Sequence, residues 1–255
     1  MINFFRRIRR NLADNNQFLK YSRYAIGEIV LVVIGILIAL QINEWNGERK
    51  QNIRKLEIVE SLTTELNEVK DYTLKQSNSL NDRIELFTEI LNEWETFDPT
   101  VMSDDALDRY YWFIHTMTLL KYNPRTGYYN SLISSGEIDL LPDSTVVKLN
   151  YVYDSHRKDV VTYVNQEVDL HIVIAEVVAK NHSQSFLSGK VPDEAKKMRF
   201  VDTPTIIRFF NSIKSDGELK SLILRNLYIL EMKNYLITTR ILPDLNDLIE
   251  NLEEK

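Results

Sequence analysis

The chain has 255 residues, 44% of them hydrophobic, and its 37 acidic against 31 basic residues leave a net charge of -6. That length holds one folded domain of roughly 200 residues beside a membrane span and argues against a second full domain. The lack of cysteine excludes disulfides, a thiolate nucleophile and any Cys-ligated zinc or iron-sulfur site, and the scarcity of Gly (7) and Pro (6) favours long helices over short strands joined by tight turns.

The first 23 residues are basic, with Arg6, Arg7, Arg9, Arg10, Lys20 and Arg23. Phe5, Ile8 and Leu12 share a helical face among these arginines, a pattern that fits either an interfacial helix on anionic lipid or a frayed basic tail. Residues 24–45, YAIGEIVLVVIGILIALQINEW, then carry no charge between Glu28 and Glu44. At 1.5 Å per residue they reach roughly 31 Å, close to a ~30 Å hydrocarbon core, and predict one transmembrane helix. A cleaved signal peptide is the competing reading; the long charged lead and the absence of a small-x-small site at IALQIN favour an uncleaved anchor. Arg49, Lys50, Arg54 and Lys55 follow the span beside Glu44, Glu48 and Glu57, so the positive-inside bias places the N-terminus in the cytoplasm and the large C-terminal part outside it. Within the span, Glu28, Gly35 and Ala39 lie on one face with Val32 and Asn43, a surface that fits pairing with another helix; the alternative is a hydrated Glu28 near the interface.

FFRRIRRNL followed by KYSRYAIGEIVLVVIGILIALQINEWN resembles the N-terminus of an uncharacterised family of single-pass proteins from Bacteroidota-type bacteria, and YNPRTGYYNSLISSGEIDLL further along is similar to that family too. The resemblance implies a bacterial cytoplasmic-membrane protein with a helical exported domain. It implies no activity, ligand or functional residue.

From Gln51 to Trp94, apolar residues at Ile53, Leu56, Val59, Leu62, Leu66, Val69, Leu80, Ile84, Phe87, Leu91 and Trp94 alternate by three and four. Thr73 and Gln76 interrupt this seam and predict a wetter neighbour or a bend there. Nothing strong interrupts the chain at Asn46 and Gly47, so this helix continues the transmembrane one. Ser103 or Asp104 caps a helix to about Leu120, and a short helix from Thr126 to Ser135 stops at Gly136 in a left-handed conformation. Asp143 or Ser144 caps a run to about Lys180, too long for a strand despite its ten valines. Residues 181–201 form the longest loop, Asp202 or Thr203 with Pro204 opens another helix, and a last helix from about Asp216 kinks at Pro243. The fold class is therefore all-α: an N-terminal transmembrane helix continuing into a long helix, then an antiparallel bundle. The chain divides into a basic cytoplasmic segment (1–23), the span (24–45) and an extracytoplasmic helical domain (46–255).

No phosphate loop, HExxH or Gly-x-Ser-x-Gly elbow occurs. His156 with Asp159, and His171 with Glu167, sit at neighbouring helical positions, but about 22 Å separates the two histidines on a straight helix, so they fit core or surface pairs better than a metal site. Aromatics concentrate from Tyr110 to Tyr129 around a Pro-Arg-Thr-Gly turn; Arg125, Tyr128 and Tyr129 suit either a packing corner or a surface for a small anionic or sugar-like ligand. Residues 46–255 carry a net charge of -9, which disfavours nucleic acid. The expected function is non-catalytic binding or scaffolding in the cell envelope, without cofactor or metal, the partners being the lipid bilayer and either another protein or a second copy. The alternative is a ligand-sensing bundle signalling through a membrane partner.

Overall fold

The computed structural model describes residues 18–116, 121–183 and 202–253, which contain helices and no strand. In chain order these are α1 Phe18–Asn92, α2 Asp104–Thr116, α3 Gly127–Ser135, α4 Asp143–Asn150, α5 His156–His182, α6 Thr203–Ile213, α7 Gly217–Leu236 and α8 Leu242–Glu253. A 3-10 turn, Glu137–Leu140, precedes α4, and π turns at Tyr151–Ser155 and Ile237–Ile241 join α4 to α5 and α7 to α8. The chain forms two compact units, Met1–Ile58 and Val59–Lys255. The basic segment with Phe5, Ile8 and Leu12 lies outside the described residues, as do Leu120 and most of the 181–201 loop.

In the first unit, α1 carries large apolar side chains around its whole circumference, from Ile26 through Val32, Ile34 and Leu40 to Trp45, all exposed. The helix holds a window of mean hydropathy 2.6 with none of it buried, enough in length and composition to cross a membrane. A helix apolar on every side, with no protein packed on it, matches a hydrocarbon solvent. No break occurs at Asn46 or Gly47, as the sequence predicts; Gly47 weakens the helix by only about 1 kcal/mol.

The second unit is built on the rest of α1 with α5 and α7. α5 and α7 pack antiparallel, shown by Glu167 reaching Lys233 and His182 reaching Asp216. α1 is antiparallel to α7, with Ser77 on Asn234 and Glu95 on Lys220. It runs in the same direction as α5, with Glu65 on Tyr153 and Arg83 on Glu167. The connection through α2, α3 and α4 returns the chain to the starting end, which makes that parallel pairing possible. The α1 seam is not opened at Thr73. That residue is fully buried, and its hydroxyl donates to the Val69 carbonyl at 2.7 Å and pairs with the Tyr122 hydroxyl at 3.0 Å. Ile53 and Leu56, counted on the seam, are exposed instead.

The short helices begin and end for local reasons. Ser103 Oγ accepts from Ala106 at α2, Asp202 from Thr205 at α6 and Asp216 from Leu219 at α7, each satisfying an amide with no intrahelical partner. At α4 neither Asp143 nor Ser144 caps. Pro142 takes that place with extended backbone, its carbonyl accepting from Thr145 and Val146. α3 ends at Gly136 with φ 74°, the left-handed stop that glycine permits. The irregularity near Pro243 is the π turn Ile237–Ile241 just before it; proline offers no N–H to the carbonyl four residues back. Aromatic rings close the α2–α6 contact, where Tyr111 meets Phe209 edge-on at 5.5 Å and Phe97 meets Phe210 at 5.1 Å.

Candidate functional site

The Pro-Arg-Thr-Gly turn is organised by a residue sixty positions away. Glu65, 4% exposed on α1, accepts from the Tyr128 amide at 2.7 Å, the Tyr129 amide at 3.1 Å and the Tyr153 hydroxyl at 3.1 Å. It thus supplies from another helix the carboxylate that the α3 N-terminus lacks, since Thr126 makes no side-chain cap, and its charge complements the positive end of that helix. The turn is fixed further by Tyr72, which donates to the Lys121 carbonyl and accepts from the Asn123 amide, and by Arg157 on Asn123. Tyr129 stacks on Tyr153 with centroids 4.3 Å apart and planes 8° from parallel. Burial, with the Glu65 carboxylate adding to it, pushes the Tyr153 phenol well above its ordinary range, and burial raises Tyr122 to about 12; both hydroxyls therefore act as hydrogen-bonding groups at physiological pH.

Of the three residues predicted for this surface, Tyr129 is buried at 5% exposure and Tyr128 is half-buried. Arg125 is outermost, its side chain 68% exposed and bonded to Glu68 at 2.6 Å, with Glu65 at 3.9 Å. The structure brings the three together at one turn, where Arg125 pairs with Glu68, the Tyr128 amide bonds Glu65 and Tyr129 stacks on Tyr153.

A second polar cluster lies in the core. Glu167 on α5 is completely buried; Oε1 accepts from Arg83 Nη2 on α1 at 2.8 Å and Oε2 from Lys233 Nζ on α7 at 2.6 Å. His171 Nε2 stands 3.8 Å from Glu167 Oε1. Burial holds His171 down at about 4; Glu167 opposes that shift and Arg83 adds to it. Burial also lowers Lys233.

Two further described histidines, His156 and His182, each have partners. His156 bonds Asp244 of α8 at 2.6 Å instead of Asp159, which faces Arg240 at 3.7 Å. His182, one of the four histidines in the sequence, lines up with Ser212 at 2.9 Å on one nitrogen and Asp216 at 2.8 Å on the other. The resemblance to a hydrolytic triad is superficial. Ser212 directs its hydroxyl hydrogen to the Phe209 carbonyl at 2.7 Å, away from the imidazole that would have to take it, and Asp216 caps α7. The His115 side chain lies outside the described set, and among the described residues no group of three metal-ligating side chains converges.

On the apolar part of α1, Glu28, Gly35 and Ala39 are exposed on a common face, and a Cβ added at Gly35 would meet nothing within 4 Å. At Gly35 the face leaves room for a second helix.

The sequence missed Glu65, Arg83 and Lys233. All three sit among apolar seam residues, and a charged side chain at a seam position was the available signal. No curated protein and no solved structure matches the chain. The chain belongs to DUF6090, a family of unknown function, whose model matches residues 28–181, more than half of its length.

Proposed function

We propose that this is a single-pass protein of a bacterial cytoplasmic membrane, with its N-terminus inside, whose helical domain acts outside the cytoplasm by binding or scaffolding and not by catalysis. The observation that carries this reading is the contrast between the two units. The first offers an all-round apolar helix to its surroundings, whereas the conspicuous titratable groups of the second, Glu65, Glu167, His156 and His182, are spent on helix caps and interhelical pairs. The lipid bilayer is then one partner, and the Glu28, Gly35 and Ala39 face supports a second copy or another spanning helix as the next. Protease treatment of intact spheroplasts tests the orientation: the C-terminal domain is digested while the cytoplasm stays sealed, and its protection would overturn the assignment. In vivo crosslinking tests the role, with one envelope protein or the chain itself expected as the dominant product. Gly35→Leu is expected to reduce the crosslinked homo-oligomer if the span is where copies meet.

A second reading, a ligand-sensing bundle that signals through a membrane partner, draws support from α1 being one helix from Phe18 to Asn92. A thermal-shift screen in which a small molecule stabilises the purified chain, an effect removed by Arg125→Ala, would favour it over scaffolding.

A further inference from the structure

Three helices meet at a single carboxylate. Arg83 brings in α1, Lys233 brings in α7, and Glu167 with His171 belong to α5, where they stand four residues apart. The two oxygens of Glu167 have different employment: Oε2 serves Lys233, and Oε1 serves Arg83 with His171 Nε2 next nearest at 3.8 Å. Any new claim by His171 therefore falls on the oxygen that ties α1 to α5. We propose that the cluster is an acid-operated latch: protonation of His171 transfers Glu167 Oε1 from Arg83 to the imidazolium on the same helix and releases the Arg83 tie between α1 and α5.

The geometry makes this exchange local. Residues at i and i+4 of a helix already face one another, so the new pair forms by side-chain rotation alone, whereas the Arg83 bond spans two helices. The charged groups facing His171 are Glu167 from its own helix, Arg83 from α1 and Lys233 from α7, with Asn226 of α7 as a hydrogen-bonding neighbour. A third cation beside a carboxylate already shared by two is unfavourable in a buried site, so a protonated His171 and the Arg83 tie oppose each other. The His171 side chain is 13% exposed overall, while its Nε2 is buried and without a hydrogen bond, so the nitrogen nearest Glu167 is the one left to take a proton when the cluster loosens. Burial keeps the latched imidazole down at about 4 against an ordinary 6.5. The unlatched or unfolded chain therefore binds the extra proton more readily between those values, and the latched state is fully favoured above the upper one and loses ground as pH falls toward the lower. Linkage across that window shifts the equilibrium between the latched and the unfolded chain by about 50-fold between pH 7 and pH 4.5.

The absence of cysteine allows a clean test on the full chain in detergent micelles, with spin labels at Asp82→Cys on α1 and Gln166→Cys on α5, both exposed positions. Inter-label distances and urea unfolding are followed from pH 7 to pH 4.5, against His171→Gln and, as a second neutral replacement, His171→Asn. The expected result is a broadened or lengthened distance distribution at pH 4.5 that either substitution abolishes. The unfolding constant is expected to rise more in the parent than in the variants, by up to about 50-fold. An unchanged distance in the parent overturns the proposal, even if stability falls, because a merely buried histidine would lower stability without moving α1. A distance change of the same size in the His171 variants overturns it too.

Discussion

Truncating Glu65 would strand three donors at once: two backbone amides of α3 and the Tyr153 hydroxyl. A buried donor left unsatisfied costs about 1–3 kcal/mol, and a hydrogen bond to a charged group contributes about 1.5–3. Glu65→Gln, which turns one accepting oxygen into an amide that itself donates toward an N–H, is expected to lower stability by about 2–3 kcal/mol, read as a fall in urea midpoint with an unchanged slope. Arg125→Ala removes an ion pair whose cation is 68% exposed and is expected to cost less than about 1 kcal/mol. If Arg125→Ala proved the more damaging, Glu65 would not be what holds the turn. At the other cluster, Glu167→Gln leaves Arg83 and Lys233 buried without their shared carboxylate and is expected to cost about 3–5 kcal/mol on the same measurement. None of these roles was legible from composition. The aromatic content and the Pro-Arg-Thr-Gly turn drew attention to the right place, but the organising carboxylate comes from 63 residues upstream, and a pairing at that separation leaves no local signature beyond a charge on an apolar seam.

The two π turns show how spacing at the level of an element becomes shape. Thr145, Leu149 and Tyr153 are buried at successive four-residue steps, and so are Lys233, Ile237, Ile241 and Leu245. In a helix of 3.6 residues per turn each such step rotates the buried stripe by about 40°, which would carry it off the core within three steps. Tyr151–Ser155 and Ile237–Ile241 absorb the surplus, because a π turn accommodates an extra residue in the helix. These spacings are visible in the sequence as ordinary helical periodicity; what betrays the π turn is the run of fours, strengthened in the second case by Pro243. The expected consequence is an asymmetry between deletions. Removing exposed Ser155 converts the first π turn to α-helix and keeps the faces on either side in phase, so a cooperatively unfolding bundle survives. Removing exposed Asn165, in regular helix, rotates everything after it by about 100° relative to what precedes and abolishes cooperative unfolding. Equal tolerance of the two deletions by circular dichroism melting would contradict this account of the turn.

At the scale of the whole molecule, long helices and an apolar span could be read directly, because helical periodicity and hydrocarbon thickness are local properties. The pairing of the helices could not, since α1 and α5 become parallel neighbours only through the connection that α2, α3 and α4 provide. The division between what the family model matches and what the fold requires follows from the same geometry. Residues 28–181 include most of α5, yet the face of α5 that carries Leu170, Ile174, Val177 and Val178 is buried. α7 lies along this helix and places Lys233 on Glu167 and Asp216 on His182. α8 adds Leu245, Leu248 and Leu252 to the buried set, with Asp244 on His156 and Lys148 paired to Asp247. A chain ending at Asn181 would expose those valines and leave Glu167 with Arg83 alone from the pair that now flanks it. It is therefore expected to keep the apolar helix of α1 but to lose the cooperative urea transition of the full chain in detergent micelles. Its far-UV helicity should decay gradually, because isolated helices without an apolar partner face are marginal in water. A sharp transition in the truncated chain, at a midpoint near that of the full protein, would mean that α1 to α5 form a self-sufficient core and that α6 to α8 are an appendage.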